Sequence, residues 1–251
     1  MSSSHLKRFG VRTIGIIAAL RQEVGPFIEG LEDPRSITVG RFVIHQGVIS
    51  GRPVSLVISG VGRKAAVNAA EVLIESSRPD IIVSTGFAGG LAEEAAAGTI
   101  VYGNDLVDDT GGRETFGVPD GFALPEGGVW GVILTSRYFI SAVDHRRRLR
   151  DRFGAVAVDM ESIHIGRVAR GAGIPVIVAR IISDDISAEL PVMGLIMGGD
   201  GRLAIGRAIA YFARHPGTII GFVRFMGNLT AHAHTLNGCL RRLVVSLPAG
   251  E

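Results

Sequence analysis

The stretch Thr13-Ile14-Gly15-Ile16-Ile17-Ala18 decides how this chain folds, because it is apolar throughout rather than at every second residue. Strands covered on both faces carry such runs, whereas strands with one wet face alternate. A second run, Ile81-Ile82-Val83-Ser84, restarts after Pro79-Asp80 and ends in the loop Thr85-Gly86-Phe87-Ala88-Gly89-Gly90. Between the two lie a polar helix start at Arg21-Gln22-Glu23 and a hairpin. In that hairpin Phe42-Val43-Ile44 and Val54-Ser55-Leu56-Val57-Ile58 flank Ser50-Gly51-Arg52, whose glycine supplies the positive φ of a tight turn. Gly60-Val61-Gly62 then opens a helix to about Ser77, with Ala65, Ala66, Ala69, Ala70, Leu73 and Ile74 at helical spacing.

The pattern continues outward. Strands are expected at 99–107, 132–135, 155–158 and 175–182, and helices at 141–151, 161–172 and 200–213. Strands alternating with helices predict an α/β layered fold with a mostly parallel sheet. Residues 108–128 hold Gly111, Gly112, Gly117, Pro119, Gly121, Pro125, Gly127 and Gly128, so this segment reads as a mobile loop without an element of its own.

A chain of 251 residues that is 47% hydrophobic can bury a substantial core, in line with its mean hydropathy of +0.34. One domain is expected over 13–213, between an N-terminal tail at 1–12 and a C-terminal segment at 214–251. Cys239 is the lone cysteine, which excludes a disulfide framework and a cysteine-ligated zinc site and fits a reducing cytoplasm. The opening Met1-Ser2-Ser3-Ser4-His5-Leu6-Lys7-Arg8 has no apolar signal core, and no uncharged run approaches the ~20 residues of a membrane span. A net charge of +2 conceals an asymmetry. From Gly201 to Gly250 there is no Asp or Glu, while Arg202, Arg207, Arg214, Arg224, Arg241 and Arg242 contribute six positive charges.

Chemistry is suggested by two stretches, Ala157-Val158-Asp159-Met160-Glu161-Ser162 and Arg180-Ile181-Ile182-Ser183-Asp184. One carboxylate opens a helix and another ends an apolar run, so the two have different surroundings. Cleaving a glycosidic bond needs such a pair, one group to donate a proton and one to face the developing cation.

The order of these motifs resembles the nucleoside phosphorylase superfamily, and within it the nucleosidases acting on methylthioadenosine and S-adenosylhomocysteine. The matching phrases are Ile14 to Val24, Ser59-Gly60-Val61-Gly62, the loop at 85–90, Met160-Glu161 and Ser183-Asp184. The resemblance implies a single-domain, three-layer fold with a mixed, mostly parallel central sheet, a homo-oligomer, and chemistry without metal or organic cofactor. It makes Asp184, beside Ser183, the general acid that protonates the purine at N7, its pKa lifted by desolvation. Read locally, without the other motifs, Asp184 or Asp185 is a helix N-cap or loop residue. Glu161 would accept two hydrogen bonds from the ribose hydroxyls, with Met160 packed on the sugar. The alternative is an acidic residue placed by the helix macrodipole. Glu23 would orient the attacking water, or be a solvated first-turn glutamate. Phe139-Ile140 would stack on adenine and bond it through backbone groups, or belong to the core. The Ser-Gly-Asp that precedes that pair in the family is here Thr135-Ser136-Arg137.

Backbone N–H groups of Gly86, Phe87, Ala88 and Gly89 could meet an anion or a ribose oxygen. Many relatives have serine where this chain has Phe87, so a side-chain donor to phosphate is missing. Arg21 and Arg63 are the cations that could supply its charge. Water and inorganic phosphate, the latter as a co-substrate, both stay open as nucleophile.

A competing pattern, Gly60-Val61-Gly62-Arg63-Lys64-Ala65 after a strand, matches a dinucleotide-binding turn. Its acidic partner should end the next strand, whereas Asp80 begins one. The resemblance also exposes a departure, since relatives carry a helix where this chain has only the Gly-rich 108–128 loop. A shorter lid implies room for a 5′ group larger than methylthio. Gly154 to Ser162 and the tail Arg214-His215-Pro216-Gly217 resemble the hopanoid-associated branch, taken to remove adenine from adenosylhopane. Its substrate would be lipid-linked, and the basic C-terminal segment could lie at an anionic inner membrane face. A helix packed on the domain is the other reading of that segment. The expected partner is a small nucleoside and not nucleic acid, in an otherwise cytoplasmic protein. Methylthioadenosine/S-adenosylhomocysteine nucleosidase activity, or a nucleoside-binding module without catalysis, are the alternatives.

Overall fold

The computed structural model describes residues 11–118, 122, 125, 127–188 and 218–248, with backbone alone for 218–226. The first strand, β1 (Ile14–Ala18), is buried at every position, as its unbroken apolar run requires. After it come helix α1 (Arg21–Glu29) and the strands β2 (Glu32–Val39), β3 (Phe42–Ile49) and β4 (Arg52–Ile58), then helix α2 (Arg63–Ser77). Next come β5 (Ile81–Gly90), β6 (Ile100–Gly103), β7 (Asp105–Asp108), β8 (Arg113–Thr115), β9 (Gly128–Trp130) and β10 (Val132–Thr135). The chain continues through α3 (Val143–Phe153), β11 (Ala155–Asp159), α4 (Ser162–Gly171) and β12 (Val176–Asp184) to α5 (Thr218–Ser246).

The strands form one mixed sheet ordered β2-β3-β4-β1-β5-β11-β10-β7-β8, with β12 pairing β5 and β6, and β9 pairing β6. Its centre, β4-β1-β5-β12, is parallel. Helices cover both faces, which makes three layers. Ile14, Ile16 and Ala18 of β1 pack with Val24 and Phe27 of α1 and with Leu236, Leu240, Leu243 and Val244 of α5. Ile17 faces the other way, into a cluster with Ala66, Ala69, Ala70 and Leu73 of α2 and with Ile163 and Ile165 next to β12. Each fully buried leucine in these layers contributes about 1.5–3 kcal/mol.

The strand β5 governs the site, because it is longer than its neighbour β1. β1 pairs only as far as Ala18 opposite Thr85. Past that point β11 takes over, antiparallel, with Val158 opposite Gly89 and Ala157 opposite Gly90. On the other edge β12 runs parallel to β5 along most of its length, from Val176 opposite Ile82 to Asp184 opposite Gly89.

Several expectations change here. Thr85 to Gly90 is not a loop but the second half of β5, because β11 and β12 supply it with ladder partners. The strand expected at 99–107 is two, β6 and β7, which pair with different strands on either side of Asn104. Within the described residues of the 108–128 segment lies β8, zipped to β7 by antiparallel pairing from Asp105 opposite Thr115. β2 went unread, since all eight of its residues are exposed and it has no apolar run. The expected hairpin is present, with Ser50 at φ 50° and Gly51 at φ 77°. The helix expected at 200–213 and the arginines Arg202, Arg207 and Arg214 lie outside the described residues.

In the C-terminal segment, α5 packs on the domain from Leu229 to Leu247 with Leu236, Leu240, Leu243 and Val244 fully buried. Arg241 lies over the Phe27 ring, 5.6 Å from its centroid, within the about 6 Å at which a cation is attracted to a ring face. No helix among the described residues is long and apolar enough to cross a membrane.

Candidate active site

The site gathers where the parallel strands end, the place at which open α/β sheets present their ligand crevices. Glu23, three residues after the N-cap of α1, turns inward and is 2% exposed. One of its oxygens accepts the Leu20 N–H at 2.7 Å, and the other accepts the Phe87 N–H at 2.9 Å. It is therefore not a solvated first-turn residue. Burial pushes its pKa up, against the pull of the Phe87 N–H and of Arg180.

Arg180 stands on β12 opposite Gly86 and is 1% exposed. Its guanidinium donates to the Thr85 carbonyl at 2.8 Å and to the hydroxyls of Ser84 and Ser162 at 3.1 and 3.0 Å. It pairs with Asp159 at 2.8 Å and faces Glu161 at 3.9 Å. Gly86 has φ 139°, and a Cβ there would lie 2.6 Å from a Glu23 oxygen and 2.7 Å from an Arg180 nitrogen. Only glycine lets these two side chains close on the strand.

The antiparallel course of β11 explains why Asp159 and Glu161 come to the same place. Running back along β5 from Gly90, it delivers Asp159 to Arg180 and to the Thr135 hydroxyl at 2.8 Å. Glu161 then caps α4, is 5% exposed, and accepts the Gly62 N–H at 2.7 Å. Burial raises its pKa to about 7, with Arg180 opposing and Asp159 reinforcing the shift. Met160 between them is half-buried. The Gly62 amide that a dinucleotide-binding turn would offer to phosphate is thus held by Glu161, and Asp80 instead accepts the N–H groups of Arg12 and Thr13 at 2.8 Å each.

At the other end of Gly86–Gly90 sits Asp184. A register shift between Ile182 and Asp184 sets it opposite Gly89, and such bulges re-aim the side chains they carry. It is 5% exposed, accepts the Ser183 hydroxyl, and forms an ion pair with Arg146 of α3. Burial raises its pKa, and the Arg146 guanidinium pulls the other way. A Cβ on Gly89 would lie 3.5 Å from Asp184 and 3.6 Å from Arg146, so the pair rests against the strand backbone. Ser183 also donates to the Ala88 carbonyl at 3.2 Å. Phe139 is half-buried and Ile140 is buried, in the segment between β10 and α3. The Ile140 carbonyl accepts two N–H groups of Arg146 at 2.9 and 3.1 Å.

Two carboxyl groups and two guanidiniums therefore crowd one glycine-rich strand end, Glu23 and Arg180 both against Gly86 and the Asp184–Arg146 ion pair against Gly89. Arg21 and Arg63 stand exposed in the first turns of α1 and α2. The guanidinium against Gly86 belongs to Arg180 rather than to either of them.

The chain matches the phosphorylase superfamily over residues 13–129 and 128–194. It belongs to the phosphorylase superfamily. Among solved structures, the 5′-methylthioadenosine/S-adenosylhomocysteine nucleosidase of Colwellia psychrerythraea, in complex with adenine, is similar at 23% identity. The match covers 98% of this chain and 99% of that one, with a TM-score of 0.72. The corresponding nucleosidase of Neisseria meningitidis, with methylthio-immucillin-A, is 23% identical over 94% of this chain and 100% of its own, TM-score 0.69. Futalosine hydrolase of Helicobacter pylori is 21% identical over 94% and 99%, TM-score 0.68.

Two residues escaped the sequence reading. Arg180 was visible only as part of an apolar run, yet an arginine inside a buried strand is itself a signal, since an isolated buried charge costs several kcal/mol. Arg146 was hidden among the five arginines of α3, and its spacing to Leu149 and Phe153 marks it as the one on the inward face.

Proposed function

We propose that this protein cleaves the N-ribosidic bond of a 5′-substituted adenosine and releases adenine. The observation that carries this reading is the gathering of three buried carboxyl groups, Glu23 and Asp184 against the glycine end of β5 and Glu161 beside Arg180, which stands opposite Gly86. In the reaction the C1′–N9 bond breaks and its electron pair moves into the purine. Asp184 supplies the proton to N7, and Glu161 accepts ribose hydroxyls while its charge faces the sugar cation. The oxygen of a water held beside Glu23 and Arg180 then bonds to C1′, and the proton it sheds passes to the Glu23 carboxylate, leaving free 5′-substituted ribose and adenine.

The nucleophile is water in this reading. The Phe87 N–H, one of the groups available to an anion, already serves Glu23, and no serine hydroxyl stands at that position. A phosphate at Gly86 would also meet the Glu23 carboxyl. A groove lined by Gln22, Pro26, Leu229, Thr230, Ala233 and His234 opens between α1 and α5. Its largely apolar wall suits the 5′ substituent. Adenosylhopane is the finer reading, supported by the Gly154–Ser162 phrase and by that apolar wall, and it would bring the protein to a membrane surface.

The test is adenine release from methylthioadenosine, S-adenosylhomocysteine and a lipid-linked 5′-adenosine, each with and without inorganic phosphate. Release of free sugar at equal rate in both conditions is expected. A requirement for phosphate sinks the hydrolytic reading. No release from any of the three returns the chain to a nucleoside-binding role.

A further inference from the structure

Arg146 is buried where helical periodicity calls for an apolar residue. It shares the inward face of α3 with Leu149 and Phe153, while Arg147, Arg148, Arg150 and Arg152 are exposed. Its guanidinium is 1% exposed and holds three separate segments. It donates from Nε and Nη2 to the Ile140 carbonyl, donates from Nη1 to the Asp185 carbonyl at 2.7 Å, and pairs through Nη2 with Asp184. The segment from Ser136 to Ala142 has no helix or strand to hold it. Its first end is tied by the Ser136 N–H to the Asp159 carbonyl at 2.8 Å, and its far end is tied by Arg146.

We propose that Arg146 is the positioning residue of the base-binding half of the site, locking the 139–140 segment and the Asp184 carboxyl into one geometry. This deepens the nucleosidase reading and rests on it. The Asp in the family's Ser-Gly-Asp phrase is here Arg137, which ties the outer side of the segment to Asp109 through its backbone N–H at 3.2 Å and its guanidinium at 3.0 Å, while Arg146 holds the inner side at Ile140. A guanidinium suits the task because its rigid planar fork offers five donors spread widely enough to reach two carbonyls and a carboxylate, whereas an ammonium gathers three donors on a single nitrogen. The charged or titratable groups facing Asp184 are Arg146 on α3, Asp185 on the following loop and His232 on α5. Of these, Arg146 makes the ion pair.

The experiment compares wild type with Arg146→Gln, Arg146→Lys and the double variant Arg146→Met/Asp184→Asn. The readouts are kcat and KM for adenine release, the pH profile of kcat, adenine affinity by calorimetry, and Tm. Misplaced groups cost about 10²-fold in turnover, and that loss is expected for Arg146→Gln, with Arg146→Lys intermediate. The alkaline limb of the profile should move to higher pH in Arg146→Gln, because the cation that favours deprotonation of Asp184 is gone. The double variant removes both buried charges, so it should recover Tm without recovering turnover. Arg146→Gln with unchanged kcat, KM and alkaline limb, and only a lower Tm, would make the residue structural and overturn the proposal. If wild type binds adenine but releases none, the nucleosidase reading falls and Arg146 is judged on adenine affinity alone, which must drop in Arg146→Gln. A wild type that neither binds nor releases adenine overturns both.

Discussion

Arg180 and Asp159 meet across 2.8 Å with side chains 1% and 0% exposed, an ion pair closed off from water beneath the site. Removing one member of such a pair strands the other charge, at a cost of about 3–5 kcal/mol, and Arg180 would keep only the more distant Glu161 at 3.9 Å. Asp159→Ala should therefore lower unfolding free energy by that amount, and it also strips the Thr135 and Ser162 hydroxyls of their acceptor. Urea denaturation measures it. A loss below about 1 kcal/mol would mean that the pair is hydrated in solution.

Gly86→Ala places a methyl against both Glu23 and Arg180 in a backbone conformation that alanine resists. Turnover should fall at least tenfold with a lower Tm. Gly227→Ala is the contrast, since that glycine is exposed within α5 with open space at its Cβ. It should add about 0.5–1 kcal/mol of stability and leave activity alone. Equal effects from the two would show that a methyl at Gly86 leaves Glu23 and Arg180 undisturbed.

The third prediction concerns Glu161 and pH. Burial raises its pKa from the ordinary 4.5 to about 7, so the folded protein holds this proton more tightly than the unfolded chain does. The associated stability is complete below pH 4.5 and lost as pH rises through about 7, where the buried group must ionise. Glu161→Gln removes that cost. Its Tm should exceed that of wild type at pH 8 and match it at pH 4.5, while turnover falls. A Tm difference independent of pH would show that Glu161 titrates normally.

Asp184→Asn removes proton donation and should lower adenine release by about 10²–10⁴-fold. Adenine affinity should change far less. It also leaves Arg146 without its anion, so the assay belongs well below the variant's own Tm. Near wild-type turnover would relieve Asp184 of its role.

Much of the fold was written locally. β1 is an unbroken apolar run, and β12 one interrupted by Arg180, because both of their faces are covered, and α2 follows from alanines and leucine at helical spacing. Ser50-Gly51 specified its hairpin, since few residues tolerate positive φ. The acidic site residues could be singled out as short phrases. β2 left no trace, because an exposed edge strand needs no apolar pattern.

The chemical arrangement was decided only in three dimensions. Glu161 reaches Gly62 across 99 positions, Arg180 reaches Thr85 across 95, and Arg146 reaches Asp185 across 39. Those contacts depend on β11 running antiparallel to β5 and on β12 pairing with it in a particular register, bulge included. Register is set by which faces the packed layers bury and by which carbonyls and charges must find partners. Such requirements sum over the whole core, and no single stretch of the chain contains them.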